Sequence, residues 1–283
     1  MFISDKVALI TGATTELGKA TAVGLAKMGA TLVLVGGDRG RLSSVAKVII
    51  REAPHTVLRT LLADLSSMAE VRRSVSEIMI EERRIDVLIN NVGVVARERE
   101  VTVDGYERTF ALDHLAPFLL TNLLMTDLLF SAPSRIITVS STPYPAGPLK
   151  LNDLMLDRGY SPSLACGQAK LANILFTYEL AHRLRGTGVT ANFVEHRTRR
   201  TRFGIEAGGM TRLDMVAVRP FELSRRSGVK TIIHLAASPE VVGLTGQCFI
   251  SSRSRRPAPI SSDIEEARML WEVSERLTGL RPR

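Results

Sequence analysis

The chain has 283 residues, 45% of them apolar and 23% charged, the balance of a globular protein long enough to bury one sizeable core. Its net charge of +8 rests on arginines grouped at 197–202, 225–226 and 253–256; without aromatic interleaving or a binding-module signature these read as solvated surface, and no nucleic-acid partner is expected. Two cysteines are too few for a disulfide framework, and the most apolar stretch, from Leu115 to Phe130, is broken by Pro117, Asn122 and Asp127, so no transmembrane segment is expected and a cytoplasmic location is the default.

In chain order, the residues from Val7 to Ile10 read as a first strand and those from Thr31 to Val35 as a second. Val57 to Leu62, Val87 to Ile89, Arg135 to Val139, Val189 to Val194 and Gln247 to Ile250 continue the series. Helical stretches fall between them, among them Leu17 to Lys27, Met68 to Glu81 and Lys170 to Arg185. This alternation predicts an α/β fold, a doubly wound parallel sheet of Rossmann type, as one domain over residues 1–283. Residues 195–215, rich in Gly, Thr and Arg, read as a loop or lid over a site. No Cys/His cluster has metal-ligand spacing, so no metal is expected.

Between the first strand and the helix after it lies Thr11-Gly12-Ala13-Thr14-Thr15-Glu16-Leu17-Gly18, a setting in which a dinucleotide pyrophosphate binds on backbone N–H groups and the positive helix end. Gly12 and Gly18 are in place, but Glu16 stands where the middle glycine would let the backbone approach the phosphates. Two like charges 4 Å apart cost on the order of 4 kcal/mol at an effective dielectric of about 20. That figure is an upper guide, because the Glu16 side chain could swing out to solvent. At the end of the second strand an acid would favour NAD and a nearby arginine NADP. The chain has Gly36-Gly37-Asp38-Arg39 there, so Asp38 and Arg39 lie just behind the expected position and the choice between NADP and NAD stays open. Asp64, after the third strand, stands where an adenine contact is expected.

Five ordered segments carry a family resemblance: Thr11 to Gly18, Asp104 to Leu115, Ser134 to Ser141, Gly167 to Phe176 and Leu270 to Glu275. Together they resemble the short-chain dehydrogenase/reductase superfamily, and within it the branch of retinol dehydrogenases, WW-domain oxidoreductase and protochlorophyllide reductase. Asn90-Asn91-Val92-Gly93 is similar to that family's sheet-stabilising element, and with Thr15 and Leu17 the residues Asn91 and Gly93 complete the cofactor contacts the resemblance implies. The resemblance also implies a catalytic serine, tyrosine, lysine and asparagine. Ser141 and Lys170 match, but Cys166 occupies the tyrosine position and Asp113 the asparagine position. His196-Arg197-Thr198 replaces the branch's His-Pro-Gly. The family's habit of pairing through the helix that begins near Cys166 leaves a homodimer open.

Cysteine is shorter than tyrosine by a whole ring. Cys166 could become a partly ionised thiolate beside Lys170, or be a small buried residue in a pocket enlarged by the missing ring. Asp113 could pair with Lys170 or act as a base, while His114 and the loop tyrosines Tyr144 and Tyr160 read first as structural. Four departures around one pocket point first to an altered enzyme acting on a hydrophobic small molecule by cyclisation, isomerisation or dehydration, with ordinary hydride transfer lost or changed. The alternatives are an NAD(P)-dependent oxidoreductase that tolerates the substitutions, and a non-catalytic scaffold.

Overall fold

A computed structural model of the chain describes residues 3–82, 84–140, 149–195, 219–255 and 264–280. Eight strands form one sheet in the order β3-β2-β1-β4-β5-β6-β7-β8. They are β1 (Val7–Thr11), β2 (Thr31–Gly36), β3 (Leu58–Leu62), β4 (Val87–Asn90), β5 (Ser134–Ser140), β6 (Val189–Glu195), β7 (Cys248–Ile250) and β8 (Arg253–Arg255). All neighbouring pairs are parallel except β7 and β8. The seven expected strands are present with ends shifted by a residue or so. β8 has no apolar run to announce it: its three residues are all exposed, and its arginines blunt the edge of the sheet.

The period of two along each strand divides the core. Val7, Leu9, Val33 and Val35 pack on one face, with α3 (Met68–Glu81), α5 (Ala116–Leu123), α7 (Pro162–Arg183) and α9 (Ile264–Thr278). Ala8, Ile10, Leu32 and Leu34 pack on the other, with α1 (Glu16–Lys27), α2 (Arg39–Glu52) and α8 (Arg219–Ala237). Both faces are covered, which is why the strands are continuous apolar runs. The longest helix among the described residues, α7, begins eight residues before Lys170: Ser161 caps it, accepting from Leu164 N at 3.2 Å, and Pro162 supplies a fixed φ in its first turn. Among the described residues no helix is long and apolar enough to cross a membrane.

Before α5 the chain makes a turn of α-helix, α4 (Arg108–Phe110), and then a π-helical turn at Ala111–Leu115. Glu107 opens this segment by accepting from Thr109 N and Phe110 N, each at 2.8 Å. Two of the resembling residues upstream prove to be fasteners: Asp104 accepts from Met68 N at the start of α3, and the Tyr106 hydroxyl donates to Leu277 O on α9. The ends of β1, β4, β5 and β6 therefore open on the same edge of the sheet, where a doubly wound fold places its ligand.

Candidate active site

The phosphate loop is built as the glycine spacing predicts. Gly12 has φ of 61°, a conformation open to glycine, and a Cβ there would come within 2.9 Å of Asn91 O. A Cβ on Gly18 would lie 2.4 Å from Gly12 O, so helix and loop could not close on any larger residue. Thr15 caps α1: its Oγ1 accepts from Gly18 N at 3.0 Å and donates to Gly12 O at 2.9 Å. The Asn91 amide reaches Thr11 O, Gly12 O and Thr15 Oγ1 at 3.1–3.2 Å. Its amide is thus a brace behind the loop.

Glu16 is the first residue of α1 and is exposed, with Leu17 half-buried beside it. A carboxylate in that turn is stabilised by the helix dipole, which offsets part of its cost to the loop. At the end of β2, Asp38 spends one carboxylate oxygen on capping α2, accepting from Arg41 N at 2.7 Å. Arg39 lines a surface groove with Ser43, Thr60, Leu62 and Arg73, and no residue of the phosphate loop shares that groove. Asp64 is exposed just beyond β3, in a turn where it accepts from Ser66 N and Ser66 Oγ at 3.0 and 2.7 Å.

The residues expected to carry chemistry converge from two segments 57 residues apart. Lys170 Nζ donates to Asp113 Oδ2 at 2.7 Å, and Val94 N donates to Asp113 Oδ1 at 2.7 Å. The Asp113 side chain is 1% exposed and that of Lys170 12%. Asp113 lies in the π-helical turn, and its carbonyl has no i+4 donor because residue 117 is proline. Asn173, one turn beyond Lys170 on α7, donates its amide to that oxygen at 2.7 Å. Gly93 adjoins the pair, since a Cβ there would stand 3.3 Å from Lys170 Nζ and 3.5 Å from Asp113 Oδ2. Ser140 Oγ, at the end of β5, donates to Lys170 O at 3.1 Å and fixes α7 against the sheet.

Burial raises the Asp113 carboxyl above its ordinary value, and the contacts from Lys170 and the Val94 N–H oppose that rise. Burial penalises the Lys170 ammonium, but the Asp113 carboxylate outweighs it with a smaller contribution from Cys166, so the lysine is held above its ordinary value. Cys166 lies one turn earlier on α7, where the surroundings favour the thiol over the thiolate. Burial pushes its thiol up, and the opposing pull of Lys170 is already engaged by Asp113. Iodoacetamide near neutral pH is therefore expected to label Cys166 slowly in peptide-mapped mass spectra; rapid labelling would show a thiolate.

The structural roles read for His114 and Tyr160 fit their surroundings. His114 is buried between Asn173 Oδ1 at 3.2 Å and Ser274 Oγ at 2.9 Å, and the Tyr160 hydroxyl donates to Ala96 O at 2.8 Å. Ser141, Tyr144, His196, Arg197 and Thr198 lie outside the described residues, as does all of the expected lid except Glu195, which closes β6. Two contributors had gone unpredicted. Asn173 carries a sequence signal, three positions after Lys170 on a helix, whereas the Val94 N–H carries none.

A family model described as short chain dehydrogenase matches residues 6–206. The chain is 39% identical to Homo sapiens retinol dehydrogenase 14, over 97% of this chain and 87% of that protein. It is 38% identical to Homo sapiens retinol dehydrogenase 13, over 98% and 86%. Among solved structures, an uncharacterized protein from Mycobacterium Paratuberculosis superposes with a TM-score of 0.77 at 28% identity, covering 98% of this chain and 94% of that one. A short chain dehydrogenase from Shigella flexneri, complexed with NADP, superposes with a TM-score of 0.69 over 89% and 99%; at 20% identity that likeness speaks for the fold alone.

Proposed function

Because the chain belongs to the short chain dehydrogenase family, we propose that it is an oxidoreductase that interconverts an alcohol and a carbonyl on a hydrophobic small molecule, using a nicotinamide dinucleotide. The observation that carries this reading is the turn after β4. Asn91 braces the phosphate loop, and two to three residues later Gly93 and Val94 touch Lys170 and Asp113. One turn thus joins a phosphate loop that keeps Gly12 and Gly18 to a proton-bearing lysine. The relatives' names supply the substrate class: they are retinol dehydrogenases, which points to an apolar alcohol of that kind.

The loop backbone fits a pyrophosphate, with Gly12, Thr15 and Gly18 in the required conformations and Asp64 exposed at the far end for the adenosine. When bound, the dinucleotide would supply or accept the hydride. This chain's own residues would hold it at the helix end, orient the substrate oxygen and handle the proton. Glu16 works against binding, but its exposure places the repulsion nearer the value in water, about 1 kcal/mol at 4 Å, than the dry upper guide.

Nicotinamide fluorescence during titration with NADPH and NADH tests the proposal. Binding in the micromolar range is expected, with Glu16→Gly tightening it roughly fivefold. Reduction of all-trans-retinaldehyde and of simple hydrophobic aldehydes then tests turnover. A second reading, the non-reductive rearrangement, is favoured by the carboxylate at position 16 and gains no support from the relatives' names. Absence of binding by both the wild type and Glu16→Gly would discard the dehydrogenase reading in its favour.

A further inference from the structure

We propose that Lys170 itself is the proton donor to the substrate oxygen, with Asp113 as the positioning residue that keeps it charged and aimed, in place of a phenol at position 166. The inference rests on the dehydrogenase reading and names the acid that reading requires. Three groups face one another at this point of the site, and their geometry separates their roles.

Asp113 is 1% exposed, and both its oxygens are engaged, one by Val94 N and the other by Lys170 Nζ, each at 2.7 Å. No substrate atom can reach it. Cys166 is half-buried with its thiol pushed up by burial, and its side chain ends a ring short of where a phenol oxygen would stand. Lys170 keeps 12% of its side chain open, and its ammonium carries three protons of which the Asp113 contact uses one. Two remain for other acceptors. Gly93 leaves the approach clear, since any side chain there would bring its Cβ to 3.3 Å from Nζ.

The titratable groups that act on Lys170 are Asp113, across from it in the π-helical turn, and Cys166, on its own helix. Both raise it against the effect of burial, and Asp113 dominates. In the reducing direction a C–H bond forms at the carbonyl carbon with the electron pair of a reduced nicotinamide dinucleotide. The C=O π pair moves to oxygen, an O–H bond forms as an Nζ–H bond breaks, and the neutral amine left beside Asp113 regains its proton from solvent.

Two variants with four readouts test the assignment. Asp113→Asn removes the charge that holds the ammonium. The pH at which Lys170 titrates, followed by NMR of its labelled side chain, is expected to fall by about one unit or more. The alkaline limb of retinaldehyde reduction should move to lower pH by the same amount. Lys170→Arg keeps the ion pair but has no proton to give at these pH values; it is expected to lose at least about a hundredfold in kcat while still binding NADPH by nicotinamide fluorescence.

An unmoved titration in Asp113→Asn, or near-normal kcat in Lys170→Arg, overturns the proposal while leaving the oxidoreductase reading standing. A wild type that fails to bind NADPH or to reduce any of the aldehydes overturns that reading and the proposal with it. The fluorescence titration distinguishes the two failures.

Discussion

Replacing Lys170 with methionine should cost about 3–5 kcal/mol of stability at neutral pH, because it strands a carboxylate in the interior. Asp113 is 1% exposed, and after the substitution only the Val94 N–H faces its charge. For a protein of this size that loss corresponds to a fall in Tm on the order of 10 °C. The cost depends on pH with a definite sign. Burial already raises the Asp113 carboxyl above its ordinary value, and removing the lysine takes away the largest opposing influence. A carboxyl whose folded value lies above its unfolded one binds more protons in the native state. The variant should therefore regain stability as the pH falls through the folded value, and lose it as the pH rises.

Adding Asp113→Asn should restore part of the loss, since the stranded charge disappears. Asp113→Asn alone should be milder, because Lys170 is the more exposed partner and can turn toward water. Thermal unfolding of the four proteins at several pH values gives the double-mutant cycle. Equal costs for the two single substitutions, with no recovery in the double, would show that the pair is not coupled as the 2.7 Å contact implies.

The second large effect concerns His114, which is buried among protein partners. Its ring is fully buried between Asn173, Ser274 and a cluster containing Phe110, Phe118 and Phe176. Burial pulls it down from 6.5 to about 4, with the Asn173 contact opposing. The native state therefore holds a neutral ring where the unfolded chain would take a proton. The stability from this depressed value is present above about pH 6.5 and is lost as the pH falls toward 4, for a total of about 3 kcal/mol. Comparing denaturant unfolding of the wild type and His114→Gln between pH 7.5 and 4.5 isolates this contribution from the carboxylates common to both. The wild type should lose stability faster as the pH drops, so that the gap between the two narrows. A gap independent of pH would mean that His114 binds its proton equally well in the folded and unfolded chain, so that burial does not depress it.

The site was legible in the sequence where local rules fix it. The glycine at position 12 was readable because the turn after β1 needs a left-handed residue, and that at position 18 because α1 closes onto the loop. Lys170 and the substitutions at 113 and 166 were readable from spacing along two segments. The state of the cysteine was not. A thiolate at Cys166 is reasonable for a thiol one turn from a lysine, but it ignores an acid 57 residues from that lysine which already holds its charge. Asp38 was read only as a residue behind the ribose position, and its cap on α2, accepting from Arg41 N, was not anticipated.

The sequence by itself therefore determined the layered fold, the succession of its main strands along the chain, the family and the positions at which the chain departs from that family. Periodicity, glycine placement and helix caps act over a few residues and leave their mark in the local pattern. Tertiary structure alone decided that Asp113 meets Lys170, that Val94 and Asn173 hold it there, and that His114 stays neutral. Those outcomes depend on burial and on distances between groups brought together by packing. A desolvated charge is stabilised by whatever partner lies within about 3 Å, and no local pattern records which one that will be.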